Sequence, residues 1–317
     1  MDNRVTRNTA LLKSAMAGLS KPQKTLESKW FYDQAGSELF EKITDLPEYY
    51  LTRTEKAILQ AGIVPLRRHI PAGTTLVELG SGASVKTRIL LDGLPGLKAY
   101  LPIDISASFL FSTADALAHD YPDLFIDPVV ADFLGDVRLP PAHAGNPKAA
   151  FFPGSTLGNL DDRAATSLLS RIRGWDQVNA FVIGIDLVKD TDTLISAYDD
   201  AAGVTAAFNC NLLHRLNRET GAHFDVDSFR HEARWNSEKA RIEMHLVSRS
   251  DQTVLIGTDQ VHFAAGESIH TENSRKYTRE SFSRIAAEGG WSIAEFLTDA
   301  NALFAVAVLV PSISERG

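Results

Sequence analysis

The chain has 317 residues, 44% of them hydrophobic, enough for one large core or two ordinary ones. Its net charge of −8 argues against a protein that tracks duplex DNA or RNA, because such proteins need a phosphate-neutralising basic face. A single cysteine, Cys210, cannot close an internal disulfide and excludes a cysteine-rich zinc site, which fits a reducing cytosol.

Met1-Asp2-Asn3-Arg4 is not followed by the apolar core of a signal peptide. The longest apolar stretch, near 304–310, is far short of the ~20 residues that span a bilayer. The expectation is a soluble cytoplasmic monomer with no nucleic-acid or membrane partner.

Residues 1–53 read as helical and polar, then aromatic at Trp30-Phe31-Tyr32 and Tyr49-Tyr50. A short apolar run over 74–79 ends in Gly80-Ser81-Gly82, and helix-compatible sequence follows over 86–91. Further strand-like runs cover 99–105, 125–131, 149–152 and 180–185, with a helical stretch over 107–119. They end in polar residues: Asp104, Asp132-Phe133, Gly154-Ser155-Thr156-Leu157-Gly158-Asn159 and Asp186. Strands alternating with helices predict a doubly wound, mostly parallel sheet, with ligands outside its carboxyl edge. Residues 194–219 then read as one helix, and 241–247 alternates as a strand. A second strand over 253–263, across Ser250-Asp251-Gln252, suggests an antiparallel hairpin. A last helix, Gly289-Gly290 and strand-like runs at 291–296 and 303–309 predict a terminal hairpin that completes the first sheet. The layout is discontinuous. Residues 54–190 and 277–317 form a Rossmann-like α/β domain, and 1–53 with 191–276 form a second, α+β domain.

In Val77-Glu78-Leu79-Gly80-Ser81-Gly82, Gly80 and Gly82 allow a sharp turn and close approach of backbone to a ligand. A dinucleotide fingerprint would want a further glycine where Val85 stands, so a pyrophosphate is disfavoured. Asp104 ends the next strand, where a carboxylate accepts from both hydroxyls of a ribose. Asp132 and Phe133, after the third strand, suit an adenine: an acceptor for its amine and a ring or N–H to cover the base. An adenosyl ligand without phosphates is S-adenosylmethionine (SAM). The plain alternative is a tight turn at the glycines, with Asp104 and Asp132 as helix caps.

Other segments are unusual: Lys29-Trp30-Phe31-Tyr32-Asp33, Leu46-Pro47-Glu48-Tyr49-Tyr50, Ala197-Tyr198-Asp199-Asp200 and Thr271-Glu272-Asn273-Ser274. With the Gly154–Asn159 segment, they resemble the histidine Nα-methyltransferases of ergothioneine biosynthesis, from about Lys29 to the C-terminus. The resemblance implies a class I SAM-dependent methyltransferase sheet plus a substrate domain, free L-histidine held between them, and hercynine as product. It implies that Asn159, Tyr49 and Tyr198 hold the amino acid's carboxylate, and that Glu272 and Ser274 grip the imidazole. Tyr32 would lie near the amine, with Tyr32 and Asn159 as the catalytic pair. Phe40 and Met244 would line the pocket, and Lys86 would belong with the cofactor site. Phe208, with Tyr49, offers an aromatic face to the growing methylammonium.

Each segment also has a bland reading. The aromatics at 30–32 and 49–50 pack a seam, Glu272-Asn273-Ser274 is a turn or cap, and Lys189-Asp190 is a solvated charge cluster. His214, His231, His245, His262 and His270 show no metal-ligand spacing, so no metal is expected. Rival functions are a methyltransferase for another free amino acid, a nicotinamide oxidoreductase and a non-catalytic SAM-binding module.

Overall fold

The computed structural model describes residues 8–82 and 85–312; the first four residues, read above for a signal peptide, lie outside them. The described residues within Met1–Tyr50 and Lys189–Arg275 form one compact unit, and those within Leu51–Val188 and Lys276–Gly317 form another.

The elements run α1 (Thr9–Leu19), β1 (Lys24–Thr25), α2 (Gln34–Thr44), α3 (Tyr50–Ala61), α4 (Ile63–His69), β2 (Thr75–Leu79), α5 (Val85–Gly93) and β3 (Ala99–Asp104). Next come α6 (Ala107–Asp120), β4 (Phe125–Ile126), β5 (Val129–Val130), β6 (Lys148–Phe152), α7 (Asp162–Arg173), β7 (Val178–Asp186), α8 (Thr191–Ser196) and α9 (Val204–Thr220). The chain ends with β8 (Phe229–Asn236), β9 (Arg241–Ser248), β10 (Gln252–Ile256), β11 (Asp259–Phe263), β12 (Ser268–Arg275), α10 (Arg279–Glu288), β13 (Trp291–Thr298) and β14 (Phe304–Pro311).

In the second unit, eight strands make one sheet in the order β13-β14-β7-β6-β2-β3-β4, with β5 also on β3. The strands β2 to β7 pair in parallel, and β14 is antiparallel to both β7 and β13. This is the expected α/β sheet, closed by the expected terminal hairpin. Helices cover both faces of such a sheet, so β2 and β6 are buried along their whole lengths and are mostly apolar, with Glu78 and Lys148 the buried charged side chains. Helix α7 buries Ala165, Leu168, Leu169 and Ile172, a stripe at helical spacing, and Asp161 caps its first turn. The indole N–H of Trp291 donates to the Leu169 carbonyl at 2.9 Å, fixing β13 against that helix. The single strand expected over 125–131 is two short pairings instead. Pro128 stands between them and has no N–H for the ladder.

The first unit departs further from expectation. Its sheet has the order β1-β12-β9-β8, and α9 packs on β8 and β9. The 253–263 run does not pair with 241–247. It folds on itself as β10 and β11 about Gly257, whose φ is +64°, while β9 pairs with β8 and β12. The helix expected over 194–219 is broken between Ser196 and Val204. There Gly203 takes a φ of +74°, and the Asp200 carboxylate accepts from the Val204 and Thr205 N–H groups that open α9. Glu272, Asn273 and Ser274 are neither a turn nor a helix cap but part of β12; Thr278 and Ser281 cap α10.

In the second unit, the Lys276 ammonium meets the Asp186 carboxylate at 2.7 Å, and neither side chain is exposed. The two backbones also join: Tyr277 N–H donates to Asp186 O and Val188 N–H to Tyr277 O. Lys276→Met should leave the buried Asp186 carboxylate without its ammonium and cost about 3–5 kcal/mol in urea unfolding. Adding Asp186→Leu should recover much of that loss. Equal stability of the single variant and the parent chain would show that the ion pair does not hold this junction.

Candidate functional site

The residues expected at the cofactor lie on the carboxyl edge of the large sheet. Gly80 and Gly82 have φ of +68° and +46°, a region that favours glycine, so the loop turns directly off β2. The Gly82 N–H donates to Asp104 Oδ2 at 3.3 Å, and Asp104 Oδ1 accepts from the Ser106 N–H at 2.9 Å. Asp104 thus also shapes the entry to α6. Phe133 lies across the loop. A side-chain carbon on Gly80 would stand 3.4 Å from its ring, and Phe152 holds that ring edge-on at 5.2 Å. Asp132 is exposed beside it, with Oδ1 accepting from the Leu134 N–H at 2.8 Å; no helix follows for it to cap. The edge therefore holds a glycine turn, a carboxylate at the end of the second strand and an aromatic ring beside the turn, a combination that fits an adenosyl group.

Lys86, in the first turn of α5, reaches Glu55 of α3. Glu55 is wholly buried, and both its oxygens accept from the Gly154 N–H, at 3.1 and 2.9 Å. Room for this carboxylate comes from Gly184 in β7, where a Cβ would fall 1.9 Å from Glu55 Oε1. After Gly154, Ser155 takes a left-handed φ of 59°, held as its hydroxyl accepts from the Asp186 N–H at 2.9 Å. The 3-10 turn Thr156–Asn159 then sets half-buried Asn159 beyond the end of β6. Glu55 closes Thr52-Arg53-Thr54-Glu55, a segment that also carries the family resemblance, although the role of its carboxylate depends on partners 31 and 99 residues away.

Glu78 within β2 is also buried, with Thr87 Oγ1 and Tyr100 Oη both donating to its Oε2. Burial raises its carboxyl to about 7, against those two donors and the nearby Lys86 charge, which pull it down.

In the other unit, the residues expected around the amino acid form one connected group. Tyr32 meets Phe40 edge-on at 5.7 Å, Phe40 meets Tyr49 at 6.3 Å, and Tyr49 meets Tyr198 at 6.2 Å. The Tyr198 hydroxyl lies 2.7 Å from Ser274 Oγ. Glu272 shares a face of β12 with Ser274 and stands opposite Met244 of β9. A β-bulge between His270 and Glu272 makes this possible. Thr271 is the extra residue, and its hydroxyl donates to Asn209 Oδ1 at 2.8 Å and to Met244 O at 3.0 Å. Without it, strand alternation would turn Glu272 to the opposite face. Phe208 is buried behind this group, stacked on Phe31 at 4.5 Å with Tyr32 and Phe40 against it.

Further residues support this group through partners distant in sequence. Asn209 Nδ2 bonds His231 Nδ1 at 2.8 Å and the His245 carbonyl at 3.1 Å, while His231 Nε2–H donates to Tyr198 O at 2.7 Å. This buried network fixes the backbone of Tyr198. Lys189, read as solvated, places its ammonium 2.6 Å from Tyr50 Oη and 4.6 Å from that ring's centre; Asp190 caps α8. Glu243, His245 and His270 gather on one side of the β9–β12 pair, although their spacing in sequence gives no ligand signal.

The titration of Glu78 has a measurable consequence. An unfolded glutamate loses its proton near 4.5, whereas the folded one keeps it to about 7. Over that window the folded state holds the extra proton, so stability falls as pH rises. The parent chain should lose up to roughly 3 kcal/mol relative to Glu78→Gln between those pH values, read from urea midpoints. Parallel profiles for the two chains would place the carboxyl's titration elsewhere.

Comparison with known proteins identifies the family. The chain is 44% identical over 307 residues to the histidine N-alpha-methyltransferase of Mycolicibacterium smegmatis, covering 95% of each chain. It is 43% identical over 296 residues to the protein of the same name from Mycobacterium tuberculosis, covering 92% of this chain and 91% of that one. Ergothioneine biosynthesis protein 1 of Neurospora crassa is 27% identical over 294 residues, which are 88% of this chain and 33% of the fungal protein. No described helix is long and apolar enough to cross a membrane. A family described as "Histidine-specific methyltransferase, SAM-dependent" matches residues 11–311, and the chain belongs to it.

Proposed function

We propose that the protein transfers methyl groups from SAM to the α-amino nitrogen of L-histidine, three in succession, giving hercynine as the first step of ergothioneine biosynthesis. The observation that carries this reading is the connected group Tyr32, Phe40, Tyr49, Tyr198 and Ser274, with Glu272 on the same strand face as Ser274. The mycobacterial relatives named for histidine methylation support the choice of substrate.

The cofactor supplies an electrophilic methyl group on a sulfonium centre. On this reading Gly80, Gly82, Asp104, Asp132, Phe133 and Lys86 serve the cofactor: Asp104 accepts from the ribose, and Asp132 with Phe133 takes the adenine. The unit built on the large sheet is the SAM-binding domain, and the other unit is the substrate-binding domain. Glu272 accepts the imidazole N–H, and the Ser274 hydroxyl exchanges its bond with Tyr198 Oη to donate to the other ring nitrogen, which frees the Tyr198 O–H for the carboxylate. Tyr49, Tyr198 and Asn159 hold the carboxylate through neutral groups. Met244, 2% exposed and opposite Glu272, limits the volume available to a larger ring such as indole.

A free amine of pKa near 8 is mostly protonated at neutral pH, so the site must favour its neutral form. Tyr32, 39% exposed and braced by Phe40 and Phe208, serves to orient the amine and pass its proton to water. Most of the acceleration then comes from positioning, worth up to about 7–11 kcal/mol for a near-attack geometry. Tyr49 offers an aromatic face to the methylated ammonium, with Phe208 bracing the group from behind.

Incubation with SAM and each amino acid separately, read by mass spectrometry, should give histidine carrying one, two and three added methyl groups. Methylation of a different amino acid, with histidine untouched, would overturn the substrate. Glu272→Ala should weaken histidine binding by ~1–3 kcal/mol and leave SAM affinity intact in calorimetry. An unmoved histidine affinity would remove Glu272 from the imidazole.

A further inference from the structure

We propose that Glu243, His245 and His270 form a binding site for one divalent transition-metal ion, of the zinc or nickel class, on the β9–β12 pair. The site lies on the strand face opposite Met244, Glu272 and Ser274 and is separate from the proposed histidine site.

Strand periodicity assembles the three groups. Glu243 and His245 are two apart on β9 and so share a face, and His270 stands directly opposite His245 in the β12 register. The two imidazoles stack with centres 4.9 Å apart and planes 18° apart, so one ring would turn about its Cβ–Cγ bond to bring both in-plane lone pairs onto one ion. One ligand atom of each of the three residues lies within 4.8 Å of the other two. Glu243 Oε2 and His245 Nε2 are already 3.4 Å apart, close to the ~3.3 Å that two ligands subtend at a tetrahedral ion with bonds near 2.0–2.1 Å.

The surroundings match what metal-ligating groups require. A ligating histidine donates its other ring N–H to a fixed acceptor. His270 Nε2–H donates to the Glu272 carbonyl at 3.0 Å, which leaves the lone pair on Nδ1. His245 Nδ1 lies 3.2 Å from Ser268 Oγ, an acceptor that frees Nε2 to ligate. On Glu243, Asn236 Nδ2 at 2.9 Å and Arg241 Nε at 2.7 Å both donate to Oε1, so Oε2 is the atom turned toward His245. Two imidazoles and one carboxylate are the donor set of many zinc sites with an open fourth position. Arg234, the other cation facing this group, is held by Glu232. Bound there, an ion would link β9 to β12 just before the bulge that carries Glu272.

The experiment uses the full chain, stripped of any affinity tag, in equilibrium dialysis against Zn2+ with metal counted by elemental analysis. One equivalent should bind the parent chain and His214→Gln, whose histidine is exposed and remote in sequence. His245→Gln and His270→Gln should each weaken binding at least tenfold. No saturable binding to the parent chain, or binding unchanged in both ligand variants, overturns the site. If either variant fails to fold, Co2+ added to the parent chain decides: visible d–d bands of an imidazole–carboxylate site support it, and the spectrum of hexaaquo Co2+ overturns it.

Discussion

A carboxylate buried away from water must be met by donors, and Glu55 is the clearest case in this chain. It has no exposed surface, and the Lys86 ammonium and the Gly154 N–H answer it. An ionised carboxyl left alone in such a place would cost several kcal/mol, more than most single contacts can return. The requirement therefore ties together α3, the first turn of α5 and the loop after β6. It also dictates glycine at 184, because any side chain there would occupy the carboxylate's space. Lys86 follows the glycine loop in sequence, and Gly154 opens the turn that ends at Asn159. One buried charge thus fixes the geometry of the sheet edge where the proposed cofactor residues stand.

In the unit that contains β8, β9 and β12, an irregularity plays the comparable part. A regular β12 would present Thr271 and Ser274 to opposite faces and would turn Glu272 away from Met244. The bulge places Thr271 and Glu272 together opposite Met244, and Thr271 anchors itself to Asn209 of α9 and to the Met244 carbonyl. Asn209 in turn holds His231, and His231 holds the Tyr198 backbone. The groups proposed for the two ends of histidine, Glu272 and Tyr198, are therefore positioned through the same asparagine.

How much of this was legible in the sequence follows from burial. The central strands β3, β6 and β7 of the large sheet are buried on both faces, so they appear as mostly apolar runs whose ends mark the polar edge. The glycine loop, Asp104 and Phe133 could be read there directly, as could the closing hairpin. Strands β8 and β12 were missed, since Phe-Arg-His-Glu-Ala-Arg-Trp-Asn and Ser-Ile-His-Thr-Glu-Asn-Ser-Arg carry polar side chains on both faces. Once those were missed, 241–247 had only 253–263 available as a partner, and the wrong hairpin resulted. The partners of Glu55, Lys189, His245 and His270 lie far from them in sequence, so local pattern names none of those pairings. Tyr32, Tyr49, Tyr198, Glu272 and Ser274 were singled out only through the family resemblance.

The distribution of charge in the unit built on the large sheet bears on the reaction itself. SAM carries a sulfonium cation, and an uncompensated ammonium nearby would repel it, by about 4 kcal/mol at 4 Å for an effective dielectric of 20. The two half-buried or buried lysines of this unit's carboxyl edge are each matched to an acid, Lys86 to Glu55 and Lys276 to Asp186. The groups proposed for the histidine carboxylate, Tyr49, Tyr198 and Asn159, are neutral, although an arginine would bind a carboxylate more tightly. A cation placed there would stabilise the ground state of the amino acid while opposing the positive charge that the nitrogen gains as the methyl group arrives. Binding the carboxylate by uncharged donors gives up some affinity for free histidine and keeps its negative charge available to the developing ammonium. That balance favours the transition state over the bound substrate, which is the condition for a faster chemical step.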